Sequence, residues 1–223
     1  MKLELLRREI ADYARRILKE NLATGAGGNI SARWEDTMLI SPSGLSLEEV
    51  DPAQYVEVDV PSGDIRAQNG LRPSSEVLMH LACYRKRPEV RAVVHTHPQY
   101  TIALTSSGHD LAPMFADALI YMGSSVPHLD YITVTTPELA VAVGEAIKEA
   151  NCLVLRNHGA VTVGENLKQA FWRACTVEEA ARIQVLSLMI GKPRFLDKSE
   201  SDRLDSLASE QYRRELIARM RDV

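Results

Sequence analysis

The sequence predicts a single α/β domain, and three observations lead to that prediction. Apolar residues in the first twenty positions recur every three or four residues, which is typical of an amphipathic helix. Short apolar runs bounded by turn residues, such as 91–95 and 152–156, are typical of buried strands. The 223 residues suffice for one sizeable core. Since no repeat or composition shift marks a boundary, we assign 1–223 to one domain.

The N-terminal half is predicted to alternate short strands with helices. The first helix ends near Asn21, and three glycines then fall within four positions, 25–28. Short strands are predicted at 29–33, 38–41 and 55–60, separated by turn residues. Residues 72–76 are typical of a helix start with a serine cap, and this helix is predicted to reach about Arg85.

The C-terminal half follows the same pattern with longer helices. After the strand at 91–95, a helix is predicted through Leu104, whereas 106–134 shows no clear periodicity. Further helices are predicted at 137–150 and 166–190, with strands at 152–156 and 160–163 between them. The charged segment 202–220 is predicted to form a terminal helix that packs on the domain or on another subunit.

Charge and cysteine content exclude several function classes. Lys and Arg total 26 and Asp and Glu total 30, so the net charge of −4 argues against a nucleic-acid partner. The N-terminus lacks the apolar segment of a signal peptide, and no apolar run is long enough for a membrane span, so we expect no membrane partner. Cys83, Cys152 and Cys175 form no C-x-x-C pair, which argues against a disulfide framework and favours a cytoplasmic protein.

Three histidines are candidate metal ligands. His95 and His97 are two residues apart at the end of a predicted strand, so both imidazoles point to one side. His158 lies in a turn between two strands and is a plausible third ligand. Three neutral imidazoles leave one position open, as in catalytic zinc sites. The alternatives are surface or hydrogen-bonded histidines, and a His158 that only caps its turn; His80, His109 and His128 are predicted to be structural or solvent-facing.

A carboxylate and several small-residue turns complete the candidate site. Glu76 at a helix start either complements the helix dipole or, beside a dication, alternates between ligand and base. The turns at 27–29, 43–44 and 74–75 offer backbone N–H groups and hydroxyls, which suits an anion such as phosphate. The alternative is that they are ordinary turns. Neither a Walker motif nor a G-x-G-x-x-G fingerprint indicates a nucleotide.

Five short motifs together resemble the class II aldolase/adducin superfamily, and most of all its L-fuculose-1-phosphate aldolases. The motifs, in order between residues 1 and 190, are Gly27-Gly28-Asn29-Ile30-Ser31, Ser41-Pro42-Ser43-Gly44, Pro73-Ser74-Ser75-Glu76 with His80, Val94-His95-Thr96-His97 and Asn157-His158-Gly159. The resemblance implies a three-layer α/β/α domain with a central mixed, mainly antiparallel sheet. It also implies a homotetramer with active sites between subunits and one zinc ion per subunit.

The resemblance assigns a role to each candidate residue. It implies zinc bound by the residues matching His95, His97 and His158, with Glu76 as a ligand at rest and the acid/base during turnover. A substrate phosphate would be held by Gly28, Asn29, Ser43, Gly44, Ser74 and Ser75. Asp117, with Tyr121 nearby, aligns where fuculose aldolases have a loop tyrosine. Tyr212 is the candidate for their C-terminal tyrosine, acting from an adjacent subunit, and the alternative is that it only packs in the charged tail.

The implied activity is the reversible cleavage of a ketose 1-phosphate, through a metal-stabilised enediolate, into dihydroxyacetone phosphate and a small aldehyde. Three enzyme alternatives from the superfamily stay open: a pentulose-phosphate 4-epimerase, a methylthioribulose-1-phosphate dehydratase and an aldolase for a 5-deoxypentose phosphate. Epimerases generally have Asp at the position of Glu76, so glutamate favours an aldolase. The non-enzyme alternative is an adducin-like interaction module, against which the retained histidines and Glu76 argue.

Overall fold

One sheet of eight strands runs through the computed structural model, which describes residues 2–67 and 70–219. The strands are β1 Asn29–Trp34, β2 Thr37–Ile40, β3 Val56–Asp59, β4 Ile65–Ala67, β5 Ala92–Thr96, β6 His128–Leu129, β7 Cys152–Leu155 and β8 Gly159–Gly164. Their spatial order is β4-β3-β2-β1-β5-β8-β7-β6. All neighbours are antiparallel except the parallel pair β6 and β7. The expected mixed, mainly antiparallel sheet is therefore confirmed.

Helices cover both faces of this sheet. They are α1 Lys2–Lys19, α2 Val77–Lys86, α3 Gln99–Ser106, α4 Ala116–Met122, α5 Pro137–Ala146, α6 Leu167–Ile190, α7 Lys198–Asp205 and α8 Ala208–Arg219. On one face, α1 and α6 pack Ile10 and Phe171 against Ile30 of β1. On the other face, α2 and α5 pack Leu81 and Val143 against the sheet. Burial of these apolar stripes confirms the three-layer α/β/α architecture.

The central strands place the ends of β1, β5 and β8 side by side. β5 lies between β1 and β8, with Asn29 opposite His95 on one side and Val161 opposite His95 on the other. Residues directly opposite in an antiparallel pair project from the same face of the sheet. Asn29 and His95 thus face the layer that contains α2, and this arrangement positions the candidate site.

The elements differ from prediction in three regions. β4, α4 and β6 were not predicted, because strands of two or three residues and a short helix leave little periodicity to detect. The predicted terminal helix 202–220 is wrong as a single element: α7 begins earlier, where Asp197 accepts a hydrogen bond from the Glu200 N–H, and it breaks before α8. Of the residues assigned to the domain and this helix, Met1, 68–69 and 220–223 lie outside the described residues.

No helix within the described ranges is both long and apolar enough to cross a membrane.

Candidate metal and phosphate site

The sheet register and one helix start bring four ligand atoms together. His95 near the end of β5 and His97 just after it project to the same side, because side chains alternate along a strand. His158 follows Asn157, whose φ of 58° makes the tight turn between β7 and β8. Glu76 immediately precedes α2. One nitrogen from each histidine and one oxygen from Glu76 all lie within 4.8 Å of one another.

Glu76 does not serve as a helix cap. It occupies the N-cap position of α2, but its side chain makes no capping hydrogen bond there. Instead, Oε2 lies 3.1 Å from His95 Nε2, and Oε1 lies 3.4 Å from His158 Nε2. The backbone N–H of Glu76 donates to the Ser74 hydroxyl at 3.3 Å. The carboxylate therefore points toward the histidines, and the alternative that it only complements the helix dipole does not account for its position.

The imidazole lone pairs face the common centre. His95 Nδ1 lies 3.0 Å from the Ala160 carbonyl oxygen, and since a carbonyl only accepts, Nδ1 carries the proton. The other ring nitrogen of His95, Nε2, faces the common centre and lies 3.0 Å from His97 Nε2. Burial, together with the neighbouring His95, lowers the pKa of His97 and of His158 to about 4, which keeps both rings neutral at pH 7.

The electrostatics of the carboxylate fit a bound cation. Burial alone would raise the pKa of Glu76, but His95 and the Asn29 amide hold that pKa below its ordinary value. Within the described residues, Glu76 Oε1 and His158 Nδ1 are buried without a hydrogen-bond partner. A buried, ionised carboxylate oxygen that lacks a partner is costly. Three imidazoles and this carboxylate are donors that a divalent metal such as zinc accepts.

A cavity of about 300 Å³ opens next to these ligands. His97, His158 and Glu76 line it, whereas His95 is fully buried behind it. All six residues predicted to hold phosphate also line it: Gly28, Asn29, Ser43, Gly44, Ser74 and Ser75. The structure thus brings the predicted metal ligands and the predicted phosphate-binding residues to one cavity.

Backbone hydrogen bonds hold together the turns that are predicted to bind phosphate. The Ser43 N–H donates to the Arg72 carbonyl, and the Ser74 N–H donates to the Ser41 carbonyl. These bonds join the turn after β2 to the segment that leads into α2. The start of α2 therefore faces the cavity, and the partial positive charge of a helix N-terminus favours an anion there.

Two glycines let the surrounding loops approach the histidine strand closely. Gly28 has a φ of 72°, and a Cβ at this position would lie 3.0 Å from the His95 carbonyl oxygen. A Cβ on Gly159 would lie 2.1 Å from the Thr96 carbonyl oxygen and 3.1 Å from His97 Cδ2. Glycine at 159 therefore allows His158 to sit beside His97.

The cavity includes residues that sequence reasoning missed. Val134 and Thr135 line it from the loop before α5. Thr135 has a φ of 67°, a conformation that β-branched residues rarely adopt. The sequence contains no signal for these two residues beyond three nearby threonines, Thr133, Thr135 and Thr136, at the end of the region without periodicity. Such a loop is placed by tertiary contacts rather than by local pattern.

Asp117 and Tyr212 lie outside this cavity within their own chain. Asp117, exposed on α4, helps to line a second cavity of about 230 Å³ together with Tyr121 and Trp172. Its carboxylate lies 3.7 Å from Arg213 of α8. Tyr212 is 62% exposed. The geometry of a single chain therefore brings neither residue to Glu76.

The other histidines differ in surroundings. His109 is exposed, and His128 is half-buried and accepts the Leu111 N–H at 2.9 Å. His80 is fully buried, with its ring nitrogens near Asn29 and Ser31. The sequence predicted His80 only as structural or solvent-facing, whereas its spacing of four residues from Glu76 could have placed it on the same side as the candidate base.

Comparisons with known proteins agree with this geometry. The family described as "Class II Aldolase and Adducin N-terminal domain" matches residues 8–185. A 5-deoxy-D-ribulose 1-phosphate aldolase from Bacillus thuringiensis is 35% identical, covering 92% of this chain and 95% of that protein. A 5-methylthioribulose-1-phosphate/5-deoxyribulose-1-phosphate aldolase from Escherichia coli is 33% identical, covering 81% and 83%. A solved L-fuculose 1-phosphate aldolase superposes with a TM-score of 0.82 at 30% identity, covering 89% and 93%.

Proposed function

Because its sequence matches over residues 8–185, the chain belongs to the class II aldolase/adducin family, and we propose that it reversibly cleaves a ketose 1-phosphate into dihydroxyacetone phosphate and a small aldehyde. The family match and the aldolase-named relatives make it a class II, metal-dependent aldolase, a carbon–carbon lyase. One observation carries the choice of substrate class. His97, His158, Glu76 and the turns proposed to hold phosphate line one cavity, and His95 lies behind it.

We propose zinc as the metal, one ion per subunit, held by His95, His97, His158 and Glu76. Nitrogen ligands with one carboxylate suit zinc, and all four ligand atoms lie within 4.8 Å of one another. When bound, the metal supplies positive charge that stabilises the negative charge developing on the substrate oxygens as the carbon–carbon bond breaks.

Glu76 is the proposed acid/base, and Oε1 is the atom that accepts and returns the substrate proton. Oε2 accepts a hydrogen bond from the Asn29 amide at 2.8 Å, whereas Oε1 has no hydrogen-bond partner within the described residues. In the direction of synthesis, Oε1 takes a proton from the hydroxymethyl carbon of dihydroxyacetone phosphate. In the direction of cleavage, it returns the proton to the same carbon.

The phosphate is proposed to bind at the other side of the cavity without a cationic side chain. No Lys or Arg is among the described residues that line it. The hydroxyls of Ser43, Ser74 and Ser75, the backbone at Gly28 and Gly44, and the start of α2 are the groups available to neutralise it. Asn29 also lines the cavity, and its amide nitrogen has a second N–H, besides the one donated to Glu76, that is available to the phosphate.

The aldehyde is proposed to be short and to end in a methyl or methylthio group. Cleavage between C3 and C4 of any ketose 1-phosphate leaves the same phosphorylated fragment, so the tail alone distinguishes substrates. The relatives are named for 5-deoxyribulose, 5-methylthioribulose and fuculose phosphates. Ala26, Pro42 and Val134 give this cavity an apolar portion that suits such a tail.

We also propose a cytoplasmic homotetramer with active sites between subunits. Asp117 and Tyr212 are exposed and outside the cavity of their own chain, so they reach a substrate only from a neighbouring subunit. Met189 and Ile190, 76% and 89% exposed at the end of α6, offer apolar surface for such contacts. The free cysteines agree with a reducing compartment.

The test is carbon–carbon bond formation by the zinc-loaded protein. Dihydroxyacetone phosphate is incubated with acetaldehyde, lactaldehyde, methylthioacetaldehyde or glycolaldehyde, and ketose phosphates are detected by mass. We expect products with the first three, formed faster than with glycolaldehyde. If zinc is bound and no aldehyde gives a product, the aldolase proposal fails, and L-ribulose 5-phosphate and methylthioribulose 1-phosphate become the substrates to assay.

A variant separates the role of Glu76 from metal binding. Glu76→Gln, assayed at saturating zinc, is expected to lose exchange of solvent hydrogen into dihydroxyacetone phosphate because an amide cannot accept that proton. Wild-type exchange in this variant would reject Glu76 as the base. Bound zinc, measured in the same sample, serves as the control.

A further inference from the structure

A line of buried polar side chains leads from Glu76 into the core between β1 and α2. The Asn29 amide nitrogen lies 2.8 Å from Glu76 Oε2, and the Asn29 amide oxygen lies 2.5 Å from His80 Nε2. His80 Nδ1 lies 2.6 Å from the Ser31 hydroxyl, which lies 2.7 Å from the Tyr84 hydroxyl. We call these five side chains the buried relay.

Strand and helix periods explain why the relay forms. Asn29 and Ser31 are two apart on β1 and share one face. Glu76 at the N-cap of α2 and His80 and Tyr84 within α2 are spaced four apart, so they share one side. Two strand residues advance about 6.6–6.8 Å, and four helix residues advance about 6 Å. The two polar stripes therefore interleave along their whole length.

The hydrogen bonds of the relay have a single direction. Ionised Glu76 can only accept, so the Asn29 amide nitrogen donates to it and the amide oxygen faces His80. Nε2 of His80 must then carry the proton. Burial lowers the pKa of His80 to about 3, so the ring is neutral and Nδ1 accepts from the Ser31 hydroxyl. Ser31 in turn accepts from Tyr84.

Burying these polar side chains costs more free energy than burying apolar side chains at the same positions. Asn29 is 5% exposed, Tyr84 is 1% exposed, and Ser31 and His80 are fully buried. Apolar side chains at these positions would pack without needing hydrogen-bond partners. Fully satisfied polar networks, in contrast, fix side-chain orientation. What the relay fixes at its cavity end is the carboxylate of Glu76.

We propose that Ser31, His80 and Tyr84 are positioning residues for Glu76: acting through Asn29, they hold Oε2 in place and leave Oε1 free to move the substrate proton. The proposal rests on the aldolase function proposed above. A purely structural role for His80, as a satisfied core histidine, is the competing explanation. The two differ in what happens to proton transfer when a distant hydroxyl is removed.

The first test does not depend on enzyme activity. Nitrogen-15 NMR of histidine-labelled, zinc-loaded protein reports which ring nitrogen of His80 carries the proton, and His80→Gln assigns the signal. We expect the Nε2–H tautomer of a neutral ring, unchanged between pH 6 and 8. A protonated Nδ1 would overturn the proposal, because Ser31 would then not donate toward Glu76.

The second test removes one hydroxyl at a time. Tyr84→Phe is compared with Tyr55→Phe, because both tyrosines are almost fully buried and the Tyr55 hydroxyl has no partner within the described residues. Ser31→Ala is compared with Thr162→Val, which also loses one fully buried, hydrogen-bonded hydroxyl, on β8. Each pair is matched for burial, and unfolding midpoints are measured for all four variants.

Ser31→Ala is expected to lower kcat for hydrogen exchange into dihydroxyacetone phosphate by about tenfold, the low end of the losses seen for groups that orient metal ligands. KM should stay within about twofold, because the phosphate turns are unchanged. Tyr84→Phe should give a smaller loss in kcat, and the two controls should give none. Equal kcat losses in each relay variant and its control, at equal loss of stability, would overturn the proposal.

The zinc dissociation constant separates failure of this proposal from failure of the proposed function. If wild-type protein shows no exchange, the aldolase function fails, but the relay is still tested because it orients Glu76 as a ligand. Ser31→Ala should then weaken zinc binding by about tenfold relative to Thr162→Val. Equal dissociation constants for these two variants would overturn the relay.

Discussion

Gly159→Ala is predicted to disturb the metal site through packing alone. The φ of Gly159 is not positive, so alanine fits the backbone conformation, and the cost is steric. The new Cβ would lie 2.1 Å from the Thr96 carbonyl oxygen, well inside the 3.0 Å limit that real Cβ atoms keep. Thr96 lies in β5 between His95 and His97, so the backbone must shift by nearly 1 Å between two of the proposed metal ligands.

The size of the effect follows from what the Cβ meets. Overpacking costs about 1–3 kcal/mol, and the upper end applies here because the opposing atom is a backbone oxygen. For a chain of this length, about 3 kcal/mol corresponds to a melting temperature lower by roughly 6–12 °C. Displacement of His158 relative to His97 should also weaken zinc binding by at least about tenfold.

The assay is thermal unfolding of the metal-free and zinc-loaded protein, with zinc affinity measured by competition with a chelating dye. Gly191→Ala is the matched control, because Gly191 has an extended backbone and no atom within 4 Å of the added Cβ. The control should change stability by less than about 0.5 kcal/mol. If both variants have the same melting temperature and the same zinc affinity, the close approach of Gly159 to the Thr96 carbonyl does not determine the geometry of the site.

Three further outcomes are expected. Chelation of zinc should lower the melting temperature by roughly 5–10 °C, since a ligand at about 100 times its Kd stabilises by about 2.7 kcal/mol; His158→Ala should remove most of that difference, and an undiminished difference would exclude ligation by His158. Ser75→Ala should raise KM for dihydroxyacetone phosphate about fivefold with little change in kcat, because one hydrogen bond is worth about 1 kcal/mol. Steady-state kinetics that show a lower kcat with an unchanged KM would mean that the phosphate binds elsewhere. Asn166→Ala should cost about 1 kcal/mol in urea unfolding with zinc content unchanged, because its side chain accepts the Gln169 N–H at the start of α6; an unchanged urea midpoint would contradict the cap.

The sequence predicted the central strands and the cluster of three histidines and Glu76 because short-range rules govern both. A strand with histidines two apart fixes the side on which both rings lie, whatever the rest of the fold does. The turn with His158 is bounded by two apolar strands, so its position was also local information. The cluster of His95, His97, His158 and Glu76 therefore followed from spacing plus family resemblance.

What the sequence did not predict depends on distant partners. β6 consists of His128 and Leu129 alone, and it exists because β7 pairs with it. The cavity residues Val134 and Thr135 lie in a loop whose backbone is held by its surroundings. His80 was predicted to be structural or solvent-facing, and its contact with Asn29 required knowledge of which strand lies under α2.

The placement of Glu76 links stability to function at this site. A glutamate at a helix start ordinarily points to solvent or to the free N–H groups, but here the relay draws its carboxylate inward toward three imidazoles. A buried carboxylate oxygen without a partner destabilises the fold when no cation is present. A bound dication would offset that cost, so the contacts proposed to orient Oε1 for proton transfer would also make folding of this end of the sheet depend on the metal. Loss of Asn29 should consequently weaken both zinc binding and proton exchange, whereas loss of a phosphate-turn hydroxyl should affect neither zinc binding nor kcat.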